Sequence, residues 1–223
     1  MTATTITLED VKARDDVRAY IAKADRNMEL IGYTEHGFRH ADMVAARARQ
    51  IILELGLSEH AAELAAIAGY LHDIGNVASR ITHPHTGVIL AYEMMRDMGM
   101  PPDDIAEVMA GVANHDEESG EPFGDIASAV IIADKSDVDR TRVRNPSPDT
   151  FDAHDRINYA AISSAVEVDR EHRIITLRLD IDPALGSIME YFELFLTRMV
   201  ASRIAARQLG CKFSIVVNGT KLL

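Results

Sequence analysis

His72 and Asp73 stand side by side in the run Leu71-His72-Asp73-Ile74-Gly75. Helical neighbours point about 100° apart, so the two side chains can converge on one ion only at a helix end, and Gly75 marks such an end. An imidazole beside a carboxylate suits a borderline divalent cation such as Mn, Fe, Zn or Ni, and the second carboxylate oxygen is free to bridge to another. Asp134 follows the apolar run Ala129-Val130-Ile131-Ile132-Ala133. A carboxylate there is expected to be buried, and it then requires a metal, a charge partner or hydrogen bonds. Lys135 is the nearest cation, although adjacent helical positions do not face each other. His40 opens an amphipathic segment, and His36 lies one helical turn before it, as a proton carrier, an anion contact or a cap on the helix start. Lys135, Arg140, Arg142 and Arg144 form the one local basic cluster, fit either to hold a phosphate by charge-assisted hydrogen bonds or to lie solvated on the surface. His60, His154 and His172 fall in polar contexts and read as surface residues.

The elements that must position these residues are helices. Thr7 with Asp10 resembles a capping box, and Val11, Val17, Ile21, Ala24 and Met28 recur on one helical face up to Gly32. Further helices are expected over 39–55, 58–72, 86–98, 103–114 and 126–138, punctuated by Gly56, Gly75, Gly99-Met100-Pro101-Pro102 and Gly120-Glu121-Pro122. After Arg144-Asn145-Pro146-Ser147-Pro148 the hydrophobic period falls from 3.6 to 2. Ile162 to Val168 and Ile175 to Ile181 alternate as strands of a hairpin closed over 169–173. A long helix is expected over 183–209, with Pro183 in its first turn and Gly210 at its end, followed by a strand through Phe213, Ile215 and Val217. The expected fold is mainly α: a helical domain over 1–144, a linker over 145–158, and a small α/β annex over 159–223, ordered ββαβ, packed on it with a right-handed crossover into its last strand. The long helix carries an apolar stripe broader than one small sheet needs. Part of that stripe is expected to meet a second copy of the chain, with packing wholly inside one chain as the equal alternative.

Composition narrows the classes. The chain has 223 residues, 47% of them hydrophobic and 26% charged, the balance of a folded globular protein large enough for a sizeable core. A formal charge of −12 argues against a nucleic-acid partner or an anionic membrane surface, both of which need clustered Lys and Arg. Cys211 is the single cysteine, so no intrachain disulfide is possible. With no leader-like pattern in MTATTITLEDVKARDD and no long apolar run, the expected location is the cytoplasm.

Arg39-His40, Leu71-His72-Asp73-Ile74-Gly75 and Ala133-Asp134 together resemble the H…HD…D signature of the HD-domain metal-dependent phosphohydrolase superfamily, over roughly Gly37 to Arg140. The resemblance implies an HD-type helical bundle in which His40, His72, Asp73 and Asp134 hold one metal. His83-Pro84-His85-Thr86-Gly87 is similar to the HPxxG element of members with two metals, and Asn114-His115-Asp116-Glu117 to their next histidine-bearing turn. His83 and His115 are thereby implied as ligands of a second ion, with Asp73 bridging, and His85 as the alternative to His83 or as a substrate contact. The implied cofactor is a pair of divalent ions (Mn, Fe, Ni, Zn or Mg). The implied reaction is attack by a metal-bridged hydroxide on a phosphomonoester or phosphodiester of a small nucleotide-like substrate, with Asp73 and His36 in catalysis and Lys135, Arg140, Arg144 and His85 around the phosphate. The glycine-tyrosine-proline signature of the branch that cleaves cyclic di-GMP is missing after His115, so that substrate is not assigned. Two readings stay beside this one: a di-iron oxygenase resembling the inositol oxygenases, which use a similar ligand set, and a nucleotide-binding module without turnover.

Overall fold

The computed structural model describes residues 6–222; residues 1–5, which begin the stretch read above for a leader, and residue 223 lie outside the described residues. Of the described residues, 59% are helical. In order it runs α1 (Leu8–Lys12), α2 (Asp15–Leu30), α3 (Phe38–Glu54), α4 (Glu59–Leu71), a 3₁₀ turn (Ile74–Val77), α5 (His83–Asp97), α6 (Pro102–Ala113), α7 (Gly124–Lys135), α8 (Ala153–Ala160), β1 (Ala161–Asp169), β2 (Ile174–Ile181), α9 (Ile188–Gln208), β3 (Lys212–Val217) and β4 (Thr220–Lys221).

The apolar stripes of α3, α4, α6 and α7 close on one another through Val44, Ile51, Ile67, Leu71, Val112 and Ile132, all essentially excluded from solvent. This is the bundle that the helical periodicity predicts. Some boundaries differ, each for a local reason. The first expected helix is two: the capping box of Thr7 and Asp10 starts α1, but Arg14 is extended (φ −73°, ψ 131°) and its guanidinium is bound to Asp16, so α2 begins afresh at Asp15. Helix α5 begins at His83 rather than Thr86, because Pro84 sits in the first turn, where a missing N–H is tolerated. Helix α9 begins at Ile188, not Pro183, since Ser187 and Glu190 form a reciprocal capping box there.

The C-terminal sheet has the order β1-β2-β3-β4, with β1 antiparallel to β2, and β2 parallel to β3 across α9. A fourth short strand, β4, pairs with β3 through a turn at Asn218 and Gly219, a length too short for its own periodic signal. The span read as a linker holds a 3₁₀ turn and the eight-residue helix α8, whose Ile157 and Ala160 are buried against α9 and the sheet. The main core runs through both parts of the chain: Val166, Ile175, Ala205, Ala206 and Leu209 belong to the same buried cluster as the helical bundle. Arg47 of α3 adds a polar tie, donating to Ser136 and to the Ser164 carbonyl of β1. Along α9, Tyr191, Phe195 and Met199 face inward, whereas Leu196, Val200 and Ile204 stay exposed.

Candidate metal centre

Every cluster residue comes from a helix end. His40 is in the first turn of α3, His72 caps α4, His83 starts α5, His115 follows the cap of α6, and Asp134 lies in the last turn of α7. Asp73 leaves the helical path (φ −95°, ψ 2°), which lets its carboxylate turn back beside the His72 ring. Gly75 has a different role from a helix stop: a Cβ there would lie 1.9 Å from the His83 carbonyl oxygen, so only glycine lets the 3₁₀ turn seat the start of α5.

The resulting geometry has two halves around one carboxylate. His40 Nε2 lies 3.1 Å from His72 Nε2 and 3.3 Å from Asp134 Oδ1. Asp73 Oδ2 is 3.4 Å from His72 Nε2 and 3.8 Å from His40 Nε2. The other oxygen, Oδ1, is 3.4 Å from His83 Nε2 and 3.6 Å from His115 Nε2, which are 2.9 Å apart. The ligand atoms of His40, His72 and Asp134 form one compact group, and those of His72, Asp73 and His115 another, so His72 borders both halves.

Hydrogen bonds fix which ring nitrogens face inward. His72 Nδ1 donates to Gly69 O (2.7 Å), His83 Nδ1 to Arg80 O (2.7 Å) and His115 Nδ1 to Val112 O (2.8 Å). Gly69 O and Val112 O lie in the last turns of α4 and α6, where helix carbonyls lack an intrahelical partner. His40 Nδ1 bonds Asp137 Oδ2 at 2.6 Å. Where Nδ1 carries the proton and the rings are neutral, the facing Nε2 atoms of His40 and His72 (3.1 Å) and of His83 and His115 (2.9 Å) turn lone pairs on each other, an arrangement that repels unless a proton or a metal cation lies between. Two nitrogens about 2.1 Å from one ion would themselves be about 3.0–3.4 Å apart, so the donor set fits divalent metal.

The electrostatics agree. Burial pushes the Asp73 and Asp134 carboxyls up, yet both are held well below the usual carboxylate range, Asp73 by His72 and His115, Asp134 by Lys135, His40 and His72. Burial lowers the His83 imidazole to about 4, against Asp73 and with help from His115 and Arg80. Burial also lowers His72, but Asp73 and Asp134 more than offset it and leave that ring raised, a sign that the two carboxylates call for positive charge.

Around the cluster, Lys135 Nζ binds Asp134 Oδ2 at 2.7 Å and also pairs with Glu117. The expectation that sequence neighbours on a helix do not meet fails here, because at the end of α7 the long lysine stem curls back over the preceding carboxylate. His36 does reach the site: its Nδ1 donates to Thr34 O, its Nε2 lies 3.3 Å from Arg142, and it shares a cavity wall with Asp73, His83 and His115. Burial and the Arg142 charge keep it well below its ordinary pKa. Three other expected contacts are not brought there. His85 is exposed on α5, roughly 200° round the helix from buried His83. Arg140 is exposed and donates to Ala161 O, and Arg144 is bound to Asp25 of α2. Sequence reasoning missed Asp137, Arg80 and Arg198. Asp137 is buried and held by Arg39 and Arg142, and its spacing of three from Asp134 was the available signal. Arg80 and Arg198 line the cavity over the cluster, and Arg198 comes from α9 of the annex.

A helical bundle that gathers histidines and aspartates from five helix ends around the Asp73 carboxylate presents donor groups that could hold a metal ion. Residues 37–139 match the HD domain family model. HD domains typically bind divalent metals, and their family consists in general of metal-dependent hydrolases. A solved structure of a Lactobacillus plantarum protein is similar over 88% of this chain and 92% of its own, at 16% identity and a TM-score of 0.44. No curated protein matches the chain. Among the described residues no helix is long and apolar enough to cross a membrane.

Proposed function

We propose that this chain is a binuclear metal-dependent phosphohydrolase acting on a phosphomonoester or phosphodiester of a small nucleotide-like molecule. The observation that carries the reading is Asp73, one carboxylate with Oδ2 toward His40 and His72 and Oδ1 toward His83 and His115. Divalent ions held there supply water of lowered pKa and charge neutralisation at a phosphate oxygen. The chain's own residues set the stage. Asp137 and the carbonyls of Gly69, Arg80 and Val112 keep each imidazole in the tautomer that turns Nε2 inward. Lys135 balances the outer oxygen of Asp134, and His36 and Glu35 O fix the Arg142 guanidinium that braces Asp137. Arg80 and Arg198 offer N–H groups on the cavity wall to anionic oxygens. The wall sets Arg80, Lys135, Arg142 and Arg198 against Asp73, Asp116, Glu117 and Asp134, so divalent ions held there would leave it net positive, which supports an anionic substrate and so hydrolysis of a phosphate ester over oxygenation of a neutral molecule.

The test is a metal-replete screen of the full chain against nucleotides, dinucleotides and sugar phosphates, following phosphate release beside metal content. The expected outcome is two ions per chain and Mn-stimulated release, with both lost in Asp73→Ala. Full metal content and turnover in that variant would overturn the reading. A mixed-valent iron EPR signal with oxygen-dependent turnover and no phosphate release would favour the oxygenase.

A further inference from the structure

Beside the metal cluster a second cavity of about 350 Å³ opens between the loop carrying Tyr33 and Thr34 and helix α8. It shares three wall residues, His36, Arg80 and Arg198, with the smaller cavity directly over the cluster, so the two adjoin across these side chains. We infer that this outer cleft holds the non-phosphate end of the substrate and selects a group bearing hydroxyl or amino hydrogens. The inference rests on the phosphate-ester reading above and names the substrate class that fits it.

The cleft is polarised along its length. Its inner wall carries the guanidinium groups of Arg80 and Arg198. Its outer wall carries hydrogen-bond acceptors from α8 and the residue that caps it: the carboxylates of Asp152 and Asp155 and the amide of Asn158. Asn158 is 4% exposed, and its Nδ2 donates to His154 O at 2.9 Å, which fixes the amide orientation. Its Oδ1 is then a buried acceptor with no donor among the described residues. Buried acceptors are nearly always satisfied, so this oxygen calls for a donor from outside the chain, either a water or a ligand group. A molecule with an anionic phosphate at one end and O–H or N–H groups at the other, such as a sugar or an aminoalkyl phosphate, matches both walls. The size suits a small ligand rather than a polymer. A rival chamber touches the same cluster: an apolar cavity lined by Ile131, Leu196, Val200 and Ile204 also borders His115 and Glu117, and it would take an alkyl or aromatic group instead.

The two chambers are separated by equilibrium binding of three phosphonates of similar length to the metal-loaded full chain: 2-aminoethyl-, 2,3-dihydroxypropyl- and propylphosphonate. The expected result is at least tenfold tighter binding of the first two. Asp155→Ala, at a half-buried position outside the cluster, and Asn158→Leu should each remove that preference while leaving propylphosphonate affinity and metal content unchanged. Equal binding of all three, tighter binding of propylphosphonate, or a preference that survives in both folded variants overturns the cleft assignment and leaves the phosphate site standing. If none of the three binds, the phosphate reading itself fails, and this inference with it.

Discussion

Each of the four imidazoles in the cluster has Nδ1 committed to an acceptor and Nε2 turned into the cluster, where Arg80 Nη1 also lies 3.1 Å from His83 Nε2. For three of them the acceptor is a backbone carbonyl three residues earlier. His40 alone relies on a side chain, Asp137, itself clamped between Arg39 and Arg142. A carboxylate behind a ligating histidine raises its basicity and fixes its ring, and losing such a partner typically lowers metal affinity about 10–100-fold. Asp137→Asn keeps the shape but removes the charge. It is expected to weaken binding by that factor at the His40 and His72 half while leaving the His83 and His115 half intact. Calorimetric metal titration would resolve the two events, and equal weakening of both would refute the assignment.

At the scale of elements, the site depends on helix ends meeting. The contact between the 3₁₀ turn and α5 is the closest of these, since the position of Gly75 leaves no room for a methyl group against the His83 carbonyl or the Gly87 amide. Backbone cannot swing aside as a side chain does, so Gly75→Ala forces α5 outward. The expected destabilisation is about 1–3 kcal/mol or more, read as a lower midpoint in urea. Because His83 starts α5, the variant should also lose its second ion before its first. A variant with wild-type stability and two bound ions would show that the turn and helix are not in contact. Helix α9 works differently: it is kinked at Phe195, and Arg198 follows within one turn of that kink.

For the molecule as a whole, the annex and the bundle share one core. Ala205 and Ala206 of α9, Leu209 at its cap, and Val166 and Ile175 of the sheet sit in the same buried cluster as residues of α3, α4 and α7. Arg47 spans the seam, with desolvation lowering its pKa. Continuous apolar burial couples the two parts, so unfolding in urea should be a single transition seen alike by far-UV circular dichroism and by metal release. Two separated transitions would show that the annex is an independent domain. The shared core also gives the annex a chemical part, because Arg198 and the α8 acceptors enter the cleft only when α8 and α9 are docked.

The donor set was legible before any fold was known. His40, His72, Asp73 and Asp134 stand out together through the H…HD…D resemblance, and Asp134 also because a carboxylate after an apolar run needs a partner, while the helical period that fixes α2 to α7 is local along the chain. What the sequence could not show is which distant charges share that space. Arg140 and Arg144 looked like phosphate ligands from proximity along the chain, yet the residues on the cavity wall are Arg80 and Arg198, from either side of them by dozens of positions. Helix α8 was hidden for a related reason: at eight residues it is too short to be stable alone, and it forms because Ile157 and Ala160 are buried against partners far along the chain. Local propensity and pattern determined the helices and the candidate donor residues. Long-range packing alone decided which cations face the cluster and which acceptors line the cleft beside it, because flexible side chains take their positions from neighbours that only the tertiary fold supplies.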